Sequence, residues 1–463
     1  MNRALTVALC FLAALCICLN NPAQAADPAP SAAAPAQAAG PLNPVGQVSP
    51  VAGHTLNVDQ IVAIAIQRNP GLAQSDQEVK AAEARVTQAF AGYLPQVSSS
   101  SAYNRNWYES ASYATATGGA SNEYDYYQEV LSFTQYLWDF GTTSGAVEQS
   151  RHNLTATREQ RFTTLAQLIQ SVTKAYYDVL LKADLVTVQR ESLRVQDAHL
   201  DQARALFESG LRPKIDVTKG EVDRAKSRLN LISAKYNLRS SRVTLEQQLG
   251  GPPVGGPYHL ASEDRQPKRP FDPIGMIDRA KKARPELADA QAQIKAADAS
   301  ITAAQGSFFP SLNLSGSYTW QNTAFPLVES WQAGATMTWS LFSGLKTQGQ
   351  VNEARANLLK AKALMRQREL QVNKDVSEAY LKVNEALESI ETSREGLRQA
   401  EENMELAEGR YRSGAGDAIE YSDAELTLTQ ARSSLVQAIY NYWQYVADLD
   451  FAVGQGLAKQ QNP

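Results

Sequence analysis

Two carboxylates, Glu420 and Asp423, stand just after a Ser413-Gly414-Ala415-Gly416 turn that joins two very long stretches of helical periodicity. Three residues apart on a helix, they share one face. Acids at a helix start are also favoured by its dipole alone, so spacing by itself leaves both readings open. The turn has a counterpart 204 residues earlier, in Phe207 to Val217, where Gly210 stands for Gly414. A duplicated helix–turn–helix tip implies two structural repeats. No other constellation suggests chemistry. His54, His152, His199 and His259 lack metal-ligand spacing with acids. There is no glycine-rich phosphate loop and no nucleophile elbow. The reading is therefore of a protein that is not an enzyme, with no cofactor and no bound metal.

The chain has 463 residues and a formal net charge of −4. No basic stripe or stacking cluster points to nucleic acid. Residues 1–25 read as an export signal: Arg3, an apolar run from Ala4 to Leu19, then Ala23-Gln24-Ala25 for cleavage. All three cysteines, Cys10, Cys16 and Cys18, lie in that segment, so the mature chain has neither disulfide nor thiolate metal site. Leu15 and Ile17 precede Cys16 and Cys18 where a lipidation signal wants a small residue. Residues 26–54, rich in Ala and Pro, suit a disordered spacer.

The elements that must position the tips repeat in order. Repeat 1 covers 55–250 and repeat 2 covers 274–454, with a linker over 251–273 and a tail over 455–463. Asn57 or Asp59 can cap the first helix. Asn69-Pro70 breaks it, as Arg284-Pro285 does at an offset of 215. Tyr93-Leu94-Pro95 and Phe309-Pro310-Ser311 each precede a change to strand-like composition. The first hairpin spans about 96–138, around a loop over 111–122. Val130, Ser132, Thr134, Tyr136 and Trp138 fall on one face, and Leu131, Phe133, Gln135 and Leu137 on the other. The second hairpin spans about 311–342. There Leu312, Leu314, Gly316, Tyr318 and Trp320 alternate with polar residues, and a strand from about Trp331 to Phe342 follows. Long helices then run to tips at about 209–214 and 413–418. A helix of some 65 residues spans roughly 100 Å and needs lateral partners.

Alternating strands of this length with aromatic ends (Tyr103, Trp107, Tyr124, Tyr126, Tyr127, Tyr136, Trp138, Trp320, Trp331 and Trp339) fit a transmembrane barrel. Four strands cannot close one, and open edges are not tolerated in lipid. Oligomerisation is therefore expected. A soluble four-stranded sheet packed on helices is the alternative, since the strands carry many Ser and Thr.

The chain resembles the TolC-type outer-membrane efflux and secretion channels over nearly the whole mature length. The resemblance rests on Leu56-Asn57-Val58-Asp59 with Ala65 and Asn69-Pro70, on the two strand-opening motifs, on Gly141 and Gly344 after the hairpins, on Val147 and Val351-Asn352-Glu353-Ala354, and on the tip pair. It implies a mixed α and β membrane protein. A homotrimer forms one twelve-stranded β-barrel in outer-membrane lipid, continued by a twelve-helix periplasmic tunnel of coiled-coil helices closed at its far end. By position, Glu420 and Asp423, six and nine residues after Gly414, match the family's acidic ring at that closure. Tripled, they give six carboxylates, and such rings favour cations. Tyr411 and Asp216 match the gate-bond partners. The family's arginine two residues after the second-tip glycine is replaced here by Gly416, while the first tip has Arg212 at the equivalent place. A rewired lock would set Arg212 against Glu420 or Asp423.

The function expected is a passive exit channel of a tripartite efflux pump or type I secretion system in the outer membrane of a Gram-negative bacterium. Its expected partners are a periplasmic adaptor and an inner-membrane transporter, either ABC-type or proton-driven. A soluble periplasmic coiled-coil adaptor and a structural envelope spacer are the rivals.

Overall fold

A computed structural model describes residues 55–107, 123–253, 258–262 and 273–455. The export signal, the spacer, the 111–122 loop, most of the linker and nearly all of the tail lie outside the described residues.

The chain begins with β1 (Thr55–Leu56), α1 (Val58–Arg68) and α2 (Pro70–Phe90). Asn57, rather than Asp59, caps α1: its side chain accepts from the Gln60 amide while Gln60 reaches back to Asn57 N. Then come β2 (Gln96–Trp107), β3 (Glu123–Trp138), α3 (Thr142–Glu208) and α4 (Lys214–Gln248). After β4 (His259–Leu260) the succession is α5 (Pro273–Ala283), α6 (Pro285–Gly306), β5 (Ser311–Asn322), β6 (Val328–Thr338), α7 (Lys346–Ser413) and α8 (Ala418–Val453).

Helix α3 has 67 residues and α7 has 68, each about 100 Å of helix at 1.5 Å per residue. Beside each lies a line made of two shorter helices. Helices α2 and α4 pack along α3, and α6 and α8 pack along α7. Helices α6 and α8 also pack against α3, which joins the two halves.

Each two-piece line meets at a capped joint. Asn69 accepts from the amides of Gly71 (2.8 Å) and Leu72 (3.2 Å) at the start of α2, and its Nδ2 donates to Gln248 O, 2.7 Å away, at the end of α4. One side chain thus satisfies orphan groups of two helix ends. Gly250 closes α4 at φ +76°, and a Cβ there would lie 2.5 Å from Arg68 O. Gly454 closes α8 at φ +79°, packed on Ala283. At the second joint the buried Arg284 replaces Asn69. It binds Glu286 at 2.9 Å and Asp375 at 2.8 Å, over the ring of Phe451.

The core is elongated. One apolar cluster joins α1, the middle of α3, the end of α4 and Tyr258 around Val172, Tyr176 and Leu245. A second joins α5, α7 and α8 around Val376, Val383 and Leu449. A third, smaller one sits at the tips.

The strands form one antiparallel sheet in the order β2-β3-β5-β6. Register sorts its faces. One row pairs Val97, Phe133, Gly316 and Ala333, and the next along that face pairs Ser99, Leu131, Tyr318 and Trp331. The opposite face carries Ser98, Ser132, Ser317 and Gln332, then Ser100, Val130, Thr319 and Ser330. On the apolar face Glu129 and Glu329 flank Trp320 across the ladder. Aromatic groups collect at both ends of the sheet. Trp138, Phe140 and Phe309 pack successively at 5.9 and 5.1 Å near the helices. Tyr103, Tyr127 and Phe325 do so at 5.2 and 5.0 Å at the far end.

Two strand expectations are corrected. A register shift between Tyr136 and Trp138 inserts Leu137, so Trp138 pairs with Leu312 and leaves the face it was to share with Tyr136. Strand β6 starts earlier, at Val328, and ends at Thr338, short of Phe342. Its indole Trp339 Nε1 instead donates to Phe308 O at 3.0 Å.

Candidate functional site at the helix-hairpin tips

Both tips are turns that glycine permits. Gly210 has φ +73° and Gly414 φ +80°, left-handed values that cost other residues strain. In the second tip the amides of Ala415 and Gly416 both donate to Arg410 O, at 3.0 and 2.9 Å, closing α7. Asp417 then caps α8, accepting from the Glu420 amide at 2.8 Å. That cap fixes where Glu420 and Asp423 stand.

Glu420 and Asp423 are both exposed on the first turns of α8. Glu420 pairs with Arg410, Nε to Oε1 2.9 Å, across the turn. At Asp423, Thr427 Oγ1 donates to the backbone carbonyl at 2.7 Å.

Arg212 is not opposite these acids. Its NH2 donates to Gly416 O at 2.8 Å and Tyr411 O at 3.4 Å, and its guanidinium lies 4.9 Å from the centre of the Tyr411 ring. The expectation that Arg212 meets Glu420 or Asp423 is therefore corrected within the chain. The reason is local. Gly416 presents a carbonyl with no side chain over it, and Arg410, within the same turn, already holds Glu420. The arginine of the first tip thus grips the backbone of the second.

Tyr411 is 1% exposed and Asp216 is 8% exposed. The two do not bond directly: among the described residues neither the Tyr411 hydroxyl nor Asp216 Oδ2 has a hydrogen-bond partner. Burial raises the Tyr411 hydroxyl pKa, and the Asp216 charge adds to this. Tyr421, buried beside it at 5.7 Å between ring centres, is pushed up to about 12, chiefly by burial.

Several residues of the site escaped sequence reasoning. His199 stacks on Tyr421 at 4.0 Å with 13° between planes. Lys219 holds Asp223 at 2.6 Å, and Asp223 accepts from Ser422 at 2.8 Å, tying α4 to α8. Deeper along the helices Glu425 is buried and saturated by Ser192 (2.7 Å), Gln196 (2.8 Å) and Thr429 (2.9 Å). One signal was available for His199. It falls on the stripe of α3 that also carries Gln196, Leu200 and Ala203 towards the core.

The arrangement joins two helical hairpins through one cation on a backbone carbonyl, stacked rings and a Lys–Asp–Ser chain, and leaves two acids outside. Among the described residues no cluster of His, Cys, Asp or Glu could hold a metal ion, and no helix is long and apolar enough to cross a membrane.

The profile of the outer membrane efflux protein family matches residues 61–251 and 276–455. The chain belongs to the outer membrane efflux protein family. The two matched blocks are the two halves that each carry a β-hairpin and a tip. Among its relatives, the probable outer membrane lipoprotein SilC of Salmonella typhimurium is 24% identical over 429 residues, covering 86% of each chain. The outer membrane protein TolC of Escherichia coli is 23% identical over 419 residues, covering 86% of this chain and 82% of that one. In fold, a CusC structure superposes with a TM-score of 0.77 at 19% identity, over 89% of this chain and 97% of that one. The outer membrane protein VceC of Vibrio cholerae does so at 0.73 and 19%, over 86% and 96%.

Proposed function

We propose that this outer membrane efflux family member is the exit channel of a tripartite efflux pump or type I secretion system. It passively conducts substrates from an inner-membrane transporter and a periplasmic adaptor to the cell exterior. The observation that carries this reading is the four-stranded sheet, apolar and aromatic on one face, rich in hydroxyls on the other, and, among the described residues, unpaired along both β2 and β6. A β5 of 12 residues is roughly 40 Å long and, tilted by about 45°, crosses roughly 29 Å, the thickness of a bilayer core. Open edges of that length cannot stand in hydrocarbon. Three copies pairing β2 to β6 give a closed barrel of twelve strands, within the usual even-numbered range. The apolar rows face lipid and the hydroxyl rows face water. Glu129 and Glu329 beside Trp320 mark the outer limit of the apolar band.

The same three copies set the four helix lines of each chain into a twelve-line tunnel below the barrel, built from two repeats per chain. The tips close that tunnel, with Glu420 and Asp423 as an acidic ring at the mouth and with Tyr411, Asp216 and Arg212 in the latch behind it. Energy comes from the partner transporter. The test is reconstitution of the purified chain in planar bilayers, together with migration of the unheated trimer. Cation-selective single channels from a heat-modifiable trimer are expected. A monomer that is extracted without detergent and conducts nothing would overturn the reading.

A further inference from the structure

Among the described residues, three polar atoms from three different helices lie buried at the tips without a hydrogen-bond partner: His199 Nδ1 on α3, Asp216 Oδ2 on α4 and the Tyr411 hydroxyl on α7. His199 is 2% exposed. Its ring is stacked on Tyr421 of α8 and tilted against Tyr411 at 4.9 Å. From α3 it therefore touches both aromatic rings of the second hairpin tip. Charged groups face this site from every side. Asp216, Lys219 and Asp223 come from α4, and Arg212 lies over Tyr411 from the first turn. Glu408 and Arg412 of α7 and Glu425 of α8 act on Tyr421.

We propose that His199 is a proton-operated latch: as the neutral imidazole it holds the first hairpin tip against the second, and on protonation it releases them. The proposal rests on the reading of these tips as the closed end of a channel. A neutral imidazole fits against the two phenol rings. An imidazolium there has two N–H donors to satisfy, and among the described residues Nδ1 has no hydrogen-bond partner in the packed state. Burying an unsatisfied cation is costly. Separating the hairpins returns the ring to water.

The balance of neighbours agrees with this direction. Burial, the largest effect, lowers the His199 pKa below the ordinary 6.5, and Lys219 lowers it further, while Asp223 and Asp216 oppose them. A histidine whose pKa is depressed in the packed tip contributes its full stabilisation above the hydrated value. That contribution is lost as pH falls from about 6.5 through the packed value. Acidification of the compartment bathing the tips therefore loosens them.

Amide hydrogen exchange on the full-length protein tests this, comparing peptides over 196–216 and 404–425 with the body of α3 over 160–180. Rates are corrected for intrinsic exchange at about pH 7.5 and about pH 5.5. The tip peptides should lose protection on acidification while the body keeps it. With the hydrated value near 6.5 and acidification to about pH 5.5, the loss should approach, and not exceed, about tenfold. His199→Phe keeps the stack, cannot titrate, and should abolish the response; His199→Gln serves the same end if the phenylalanine variant does not assemble. An unchanged wild-type tip, the same acid response in both variants, or a ring that titrates in NMR at or above the ordinary histidine value would each overturn the latch. Single-channel open probability is recorded in parallel. Acid loosening that depends on His199 without a rise in open probability would uphold the latch and overturn the tips as the closed end of the conduit.

Discussion

The guanidinium of Arg212 donates to the carbonyl of Gly416, 2.8 Å away, and so ties the turn of one hairpin to the backbone of the other. The same arginine covers the ring of Tyr411 at 4.9 Å. A charge-assisted bond to backbone and a cation–π contact act together on one side chain, and neither depends on the identity of an opposing side chain at position 416.

Replacing Arg212 should therefore loosen the tips whatever happens to the acids. Arg212→Ala removes a charged hydrogen bond worth about 1.5–3 kcal/mol. Arg212→Lys should rescue little, since an ammonium lacks the planar fork and the stacking surface. Hydrogen exchange over 404–425 and single-channel open probability give the readout. Wild-type behaviour in Arg212→Ala would show that the latch lies elsewhere.

The two tip glycines should fail in different ways. Gly414→Ala meets nothing within 4 Å, so only its φ of +80° is penalised, at about 1–2 kcal/mol. At Gly416 a Cβ would lie 3.0 Å from both Arg410 Cβ and Glu420 Oε2. Gly416→Ala should thus push Glu420 off Arg410 and alter ion selectivity, which Gly414→Ala should leave intact. Bilayer reversal potentials distinguish the two.

Glu420→Ala combined with Asp423→Ala should weaken cation selectivity and block by multivalent cations without unfolding the tip, because both side chains are exposed. An unchanged reversal potential would remove these residues from the conduction path.

High pH should also weaken the tip. The Tyr421 hydroxyl, raised from 10.0 to about 12, binds its proton more tightly packed than hydrated. Its contribution is complete below about 10 and is lost as pH rises through about 12. Tyr421→Phe should remove that alkaline step in hydrogen exchange over 404–425. A step of equal size in the variant would assign it to another group.

Close approach of α3 and α6 below the sheet should be intolerant of any side chain. A Cβ at Gly145 would lie 2.6 Å from Ala303 N and 2.9 Å from Ala299 O, both rigid backbone. Gly145→Ala should cost about 1–3 kcal/mol through overpacking, seen as a lower thermal midpoint for unfolding.

The long helices, the hairpins and both tips were readable because their signals are periodic and local. Leu312 to Trp320 alternate cleanly, and Gly210 and Gly414 mark the only plausible reversals of very long helical stretches. The switch of Trp138 was not readable, since one inserted residue, Leu137, flips the face without changing composition. Nor was the partner of Arg212. Its acceptor is a backbone carbonyl, and every residue carries one. His199 was passed over for a related reason: scanning for metal spacing finds histidines near acids in sequence, whereas its neighbours Tyr411 and Tyr421 are brought in by the second half of the chain.

The joints at Gly250 and Gly454 interrupt two of the four helix lines, while α3 and α7 run unbroken beside them. The chain is thus a pair of stays laid against a pair of spliced rods. A twist or slip arising at the tips travels the full length along the stays but stops at the splices. A one-residue insertion in α4 rotates its remaining turns by about 100°, yet α2 and the strands beyond it keep their register. Insertions confined to α4 are thus separated from the sheet by the splice, whereas insertions in α3 are not.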